Sequence, residues 1–244
     1  MPARSGSHFD TGDVSRINPQ TEQTATKTHL QFPKPITTNG WRRFEPLGIS
    51  FGAGRVWASS SFGYVAEVNP VTARLQRMVF TSSEVTSATT AGGLTWVADE
   101  LDGVDAFAVG SDHVKTHHIS WAGQPVDVET VGHGAGLIWA LGTQSSYLSS
   151  LTDPSTVGVV TTLDPAPGRI AHQWPVSPAA ALVVGNGGAY VGDDSYGRLL
   201  RLTPPHGVQT LHGPRAVKLT AATPGALWAA NRNGQLLRIG LTRR

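Results

Sequence analysis

The sequence contains no cysteine, and charged residues make up only 15% of its 244 residues. Without cysteine, the chain has no disulfides, no thiolate zinc site and no cysteine nucleophile. No run of 18 apolar residues exists either, so we expect no transmembrane helix and no membrane insertion by this chain. So little charge, with 39% hydrophobic residues, excludes a disordered polyelectrolyte and leaves enough apolar material for a core.

The N-terminal residues also lack the apolar core of an export signal. We expect residues 1–11 to be a disordered segment. As written, the chain is expected to be cytoplasmic, and an upstream segment carrying a signal would make it extracytoplasmic.

The sequence is rich in turn-forming residues, with 28 Gly and 16 Pro, and it repeats one unit. Each unit has an aromatic residue in a short apolar run, a turn, and a second apolar run. Successive aromatic positions are 39, 43, 51 and 38 residues apart, and they are Trp57, Trp96, Trp139, Tyr190 and Trp228. A period near 40 residues with several short runs per unit is typical of a β-propeller.

The clearest unit divides into four strands, A to D, at 47–50, 55–58, 64–68 and 75–80. Asn69 and Pro70 begin the turn between strands C and D, because Asn can bond the backbone two residues on and Pro presets the next φ. The sequence thus predicts an all-β propeller of four-stranded antiparallel blades. We expect one domain over 12–244, with blades starting near residues 45, 85, 125, 180 and 215. The repeated aromatic residues are interpreted as packing between blades.

The predicted strands do not fill whole blades. The chain begins with a C–D pair within 12–32 and ends after a strand C, giving 21 strands, whereas five blades need 20 and six need 24. In one interpretation the N-terminal D strand joins the last blade and closes a ring of five to six blades. In the other, the chain is part of a larger ring.

The segment VWASSSFGYVAEVNPVTARL (56–75) resembles the YVTN-type bacterial propeller repeat. The resemblance implies a non-catalytic binding or sensor propeller that presents one loop face to a protein or a small ligand. More distantly, LTWVADELDG and AYVGDDSYGRLLRL resemble the repeats of streptogramin lyases, which implies, as the alternative, a metal-dependent enzyme at the channel mouth. The Glu that follows the aromatic strand in those enzymes is absent here, so the binding function is preferred.

Charge is segregated along the chain. Residues 1–91 hold nine basic and six acidic residues, residues 92–194 hold two basic and eleven acidic, and residues 195–244 hold eight basic and none acidic. Such a field can steer a charged partner. An unevenly composed solvated surface is the plainer interpretation. The basic residues form no run and accompany no nucleic-acid motif, so nucleic acid is disfavoured as a partner.

The resemblance places the ligand face at the B–C and D–A loops. The candidate ligand-binding residues in the B–C loops are Asp99, Glu100, Asp102, Tyr147, Asp193, Asp194, Asn231 and Arg232. Tyr147 lies in the longest loop, 142–156, which is interpreted either as a small lid or as a mobile insertion.

Clustered carboxylates in two of these loops suggest a calcium or magnesium site built from Asp99, Glu100, Asp193 and Asp194, because hard cations need several oxygen ligands. The alternative is that Asp serves tight turns there. His113 and His117 are weaker candidates for zinc or nickel, or else belong to a solvated outer strand. No P-loop or dinucleotide motif is present, so no other cofactor is indicated.

Overall fold

The computed structural model describes residues 12–18, 20–30, 46–81, 84–101, 103–144, 157–176, 181–185, 187–193, 198–205, 207–211, 218–223, 226–230 and 235–240. All regular structure in these ranges is β-strand, arranged in six antiparallel sheets. In the part of the chain so described, no helix could span a membrane.

An N-terminal hairpin and a complete blade come first. The hairpin consists of β1 (Asp13–Ile17) and β2 (Thr24–His29), as expected for a C–D pair. Blade 1 follows in the order β3 (Pro46–Gly52), β4 (Arg55–Ser60), β5 (Tyr64–Val68) and β6 (Leu75–Phe80). Its C–D turn has the predicted form, because Asn69 Oδ1 accepts hydrogen bonds from the Val71 and Thr72 amides at 2.9 and 3.0 Å.

Blades 2 and 3 differ in their outer strands. Blade 2 contains β7 (Val85–Ala91), β8 (Leu94–Asp99), β9 (Gly103–Ala108) and a short β10 (Lys115–His117). Blade 3 contains β12 (Gln124–Gly134), β13 (Leu137–Gln144), β14 (Gly158–Leu163) and β15 (Ile170–Val176). Its strand A is unusually long, and the start of that strand pairs with a two-residue strand, β11 (Ser120–Trp121).

Blades 4 and 5 complete the described fold. Blade 4 contains β16 (Ala181–Gly185), β17 (Gly188–Asp193), β18 (Arg198–Thr203) and β19 (Gly207–Leu211). Blade 5 contains β20 (Lys218–Thr223), β21 (Ala226–Ala230) and β22 (Leu236–Gly240). The innermost strands β3, β7, β12, β16 and β20 contact one another in that order, as blades do around a propeller axis.

The expected strand count was wrong. The described residues contain 22 strands rather than 21, because β11 adds a short pairing that the repeat did not reveal. Among the described strands, no pairing joins the N-terminal hairpin to blade 5, although one of the two interpretations of the ring expected it. Within that part of the chain, β2 pairs only with β1, and the sheet of blade 5 holds β20, β21 and β22.

Tight turns join strands A and B in blades 1 to 3. Both central residues have positive φ, at 50° and 70° for Ala53 and Gly54 and at 53° and 76° for Ala135 and Gly136. Two-residue hairpins with this geometry follow the right-handed twist of the flanking strands. Glycine takes the second position in all three turns, where it has positive φ without a steric penalty.

Tryptophan at a fixed place in blades 1 to 3 packs between blades, as predicted. Trp57, Trp96 and Trp139 are fully buried in the apolar clusters that join each blade to the next. Each indole Nε1 also donates a hydrogen bond to the carbonyl oxygen five residues earlier, at the end of strand A. These bonds measure 3.3, 3.3 and 2.9 Å and end on Gly52, Ala91 and Gly134.

The core is divided among successive interfaces. One apolar cluster joins the hairpin to blade 1, and four more join blades 1 to 5 in sequence. In the cluster between blades 1 and 2, the rings of Trp57 and Phe107 meet edge to face with centroids 5.9 Å apart. Each of blades 1 to 4 therefore buries its two faces against its two neighbours in sequence.

Candidate binding face

Five carboxylate residues from blades 2 and 3 lie together on the B–C and D–A loop face. Glu84 precedes β7, Asp99 ends β8 and Glu100 follows it, and Asp127 and Glu129 lie early in β12. We call these five residues the acidic patch.

Backbone and hydroxyl hydrogen bonds connect the segments that carry the acidic patch. The Glu100 amide donates to the Glu84 carbonyl at 3.3 Å, which places the B–C loop beside the D–A connection. The Val131 amide donates to Ser87 Oγ at 2.7 Å, and Thr86 Oγ1 donates to the Glu129 carbonyl. The adjacent strands β7 and β12 thus position the carboxylates of both blades on one surface.

Asp99 has a structural role in this surface. It is the last residue of β8 rather than a loop residue, and its side chain is buried. Its Oδ1 accepts a hydrogen bond from the Leu101 amide at 3.0 Å. Asp99 thus stabilises a tight turn, which was the alternative to a role in metal binding.

Glu129 lies at an irregularity of strand A. The pairing of β12 with β13 shifts register between Val128 and Thr130, and such bulges turn a side chain away from its regular position. The Glu129 side chain is exposed, and its Oε1 accepts a hydrogen bond from Thr143 Oγ1 at 2.8 Å. The strands A of blades 1, 2 and 5 shift register in their pairing with strand B too.

Electrostatic repulsion within the patch acts on Glu100. Burial raises the pKa of its carboxyl above the ordinary value of 4.5, and the neighbouring charges of Glu84, Glu129, Asp127 and Asp99 raise it further. All of these neighbours are carboxylates. The patch therefore attracts cations and cationic side chains.

Of the predicted site residues, the structure places Asp99 and Glu100 in the acidic patch. Asp193 ends β17 in blade 4, where its backbone pairs with Arg198, and its side chain is outside the described part. The remaining predicted residues lie outside the described residues: Asp102, Tyr147, Asp194, Asn231 and Arg232.

Three residues of the patch were missed by sequence reasoning. Glu84 lies in a D–A connection, a loop type that the resemblance placed on the ligand face but for which no residue was predicted. Asp127 and Glu129 alternate with valines in a predicted strand A, so the motif Val126-Asp127-Val128-Glu129 was a usable signal.

Among the described residues, no group of three or more His, Asp or Glu could hold a metal ion. The described residues therefore supply no ligand set for either predicted metal site. Calcium or magnesium binding that uses Asp193 or Asp194 stays a prediction. His113 and His117 were expected on one outer strand. They do not share it, because β10 covers only residues 115–117 and His113 precedes it. Both line one cavity at the boundary of blades 2 and 3.

Comparison with known proteins supports the fold and no more. No protein-family model matches the chain, and no curated protein matches it by sequence. A chain of the mitotic checkpoint complex superposes with a TM-score of 0.67 at 13% identity, over 96% of this chain and 70% of that one. U3-55K superposes with a TM-score of 0.63 at 9% identity, over 82% of this chain and 62% of that one.

The chain is thus an all-β propeller of four-stranded antiparallel blades. It spans somewhat less than two thirds of the length of the U3-55K chain. The resemblance to YVTN repeats stays a prediction.

Proposed function

We propose that this propeller is a non-catalytic protein-binding module whose acidic patch receives a basic segment of a partner. The observation that carries the proposal is the assembly of Glu84, Asp99, Glu100, Asp127 and Glu129 from two blades on the loop face. Like charges held together repel one another, and a Lys- or Arg-rich segment relieves that repulsion when it binds.

The shape of the surface suits a peptide. Glu129 is exposed and Glu84, Glu100 and Asp127 are half-buried, so these four side chains reach solvent while the buried Asp99 shapes the turn. The similarity to a chain of the mitotic checkpoint complex supports a binding role only by analogy.

The alternative, a streptogramin lyase-like enzyme, needs a histidine beside carboxylates at the channel mouth. Among the described residues, no histidine joins the acidic patch in a metal-holding group. His133 lies in β12, six residues beyond Asp127 along the strand and about 20 Å away. The binding function is therefore the better supported of the two.

The test is a titration of labelled oligolysine and oligoglutamate peptides, followed by fluorescence anisotropy. We expect oligolysine to bind and oligoglutamate not to bind. Combined replacement of Glu84, Glu100 and Glu129 by Gln should weaken oligolysine binding about tenfold, at about 0.5 kcal/mol for each exposed charge. Added salt should weaken binding as well.

Glu22→Gln is the matched control, because Glu22 is exposed in the turn between β1 and β2. It should leave oligolysine binding unchanged. Equal binding by the triple variant and the wild type would refute the patch as the binding surface. Parallel calorimetry with calcium and magnesium tests the cation alternative, and heat that the triple variant abolishes would favour it over a peptide.

A further inference from the structure

A cavity of about 260 Å³ lies between blade 2 and the β14–β15 turn of blade 3. Its walls include the apolar side chains of Leu94, Trp96 and Pro167. Its polar lining comes from β10 and the turn before it, with Ser111, His113, Lys115 and His117. The cavity is separate from the acidic patch.

The strand register explains why the polar groups face this cavity. In the pairing of β10 with β9, Lys115 lies opposite Ala106 and His117 opposite Val104. Side chains two residues apart share one face of a strand, and Val104 and Ala106 belong to the cluster facing blade 3. Lys115 and His117 therefore both project toward blade 3.

The formal charge of the cavity lining is positive. Lys115 is its one formally charged side chain, and no carboxylate of the described residues lines it. The neighbouring acid, Asp112, instead accepts a hydrogen bond from Arg77 Nη1 at 3.2 Å. The turn itself is fixed by a hydrogen bond from the His113 amide to Ser111 Oγ at 3.1 Å.

His117 is held in place on two sides. Its imidazole packs on the Trp96 indole, with ring centroids 5.1 Å apart, and the backbone of Gly168 lies close beside the ring. A Cβ atom at Gly168 would lie 2.0 Å from His117 Cε1, so only glycine leaves room for the ring. A rigid aromatic wall thus stands beside a cationic rim.

We propose that this cavity binds a small aromatic carboxylate, with the ring against the half-buried His117 imidazole and the carboxylate at Lys115 and His113. The volume is just below the roughly 300 to 1,000 Å³ of typical ligand pockets, which suits a ligand with a single ring. Aromatic walls with a few placed polar groups are the usual composition of such sites. A lysine ammonium and an imidazole N–H both donate to a carboxylate.

The experiment titrates benzoate into the ¹⁵N-labelled protein and follows amide and indole N–H resonances. We expect saturable shifts at the Trp96 indole and the Gly168 amide, with a Kd of about 1 mM for so small a ligand. Benzamide has the same ring without the charge and should bind at least about fivefold more weakly. The Trp96 indole resonance is assigned by its loss in Trp96→Phe.

Lys115→Gln tests the cationic rim, and it should weaken benzoate binding about fivefold while leaving the rest of the spectrum unchanged. Lys27→Gln is the matched control, because Lys27 is an exposed lysine on the N-terminal hairpin, paired with Asp13. It should leave benzoate binding unchanged. The proposal is overturned by shifts that do not saturate or lie outside the cavity, by equal affinity for benzamide, or by unaltered binding in Lys115→Gln.

Discussion

The Arg77 guanidinium lies 2.6 Å from the Glu67 carboxylate, Nε to Oε2, and through it blade 1 is tied to blade 2. Glu67 is almost fully buried, and its other oxygen accepts a hydrogen bond from Arg55 Nε at 2.8 Å. The same guanidinium donates to the Ser111 carbonyl at 2.7 Å, in the C–D turn of blade 2. One side chain thus neutralises a buried charge and fastens the neighbouring blade.

Arg77→Met should therefore destabilise the fold by about 2 to 3 kcal/mol, because a buried carboxylate that loses a partner is costly and Arg55 compensates in part. Chemical denaturation measures the change. Arg74→Met is the matched control, since Arg74 is exposed in the preceding turn, and it should change stability by less than about 0.5 kcal/mol. Equal effects of the two substitutions would contradict the role assigned to Arg77.

Phe51 and Trp57 are aromatic residues of adjacent paired strands with opposite environments. Phe51 is 69% exposed, whereas Trp57 is fully buried between blades 1 and 2. Trp57→Ala should cost about 3 to 5 kcal/mol because it leaves a cavity in the interface. Phe51→Ala should change the free energy of unfolding by less than about 0.5 kcal/mol. A large cost at Phe51 would show that its ring is covered in solution.

Alanine substitutions at Gly168 and Gly110 distinguish the effect of a steric clash from the effect of the backbone conformation. Both glycines have positive φ, at 66° and 87°, but a Cβ at Gly168 meets the His117 ring whereas a Cβ at Gly110 meets nothing within 4 Å. Alanine should cost about 1 to 2 kcal/mol at either position for the left-handed conformation. Gly168→Ala should in addition shift the Trp96 indole resonance, because it displaces the imidazole. An undisturbed indole in Gly168→Ala would contradict the packing described.

Glu100→Gln should stabilise the protein at neutral pH, because it removes one charge from the acidic patch. The folded state raises the pKa of Glu100, so it binds the proton more tightly than the unfolded state does. The contribution of Glu100 to stability therefore improves as pH falls through the raised pKa toward the ordinary value of 4.5. The Tm advantage of Glu100→Gln should be greatest at pH 7 and shrink across that window.

Thermal unfolding at several pH values measures this difference. Glu22→Gln is the control and should show no comparable pH-dependent advantage over the wild type, because Glu22 is exposed away from the patch. A Tm difference for Glu100→Gln that stays constant between neutral pH and pH 4.5 would contradict the electrostatic explanation.

The architecture could be predicted because each repeat carries its own local signals. Asn69 and Asp164 mark C–D turns, and their side chains accept the backbone hydrogen bonds expected of them. The spacing of Trp57, Trp96 and Trp139 gave the period, and their burial follows from the same place in each blade. The β-branched Val183 and Val184 likewise favour a strand at the place where the structure has β16.

The sites were harder to predict because they depend on contacts between blades. Glu84 and Glu129 are 45 positions apart in the sequence, and only the packing of β7 against β12 brings both beside Glu100. The cavity at His117 likewise depends on Gly168, which belongs to the next blade. Asp99 was predicted as a loop residue because nothing in the sequence showed that β8 includes it.

The division of the core into successive interfaces has a consequence for cooperativity. Among the described residues, each apolar cluster joins blades that are adjacent in sequence, so a disturbance in blade 1 reaches blade 4 through blades 2 and 3. The free energy of unfolding should therefore depend on each interface between neighbouring blades, and unfolding should begin at the least stable interface. Amide hydrogen exchange should then give a different free energy of opening for each blade instead of one global value.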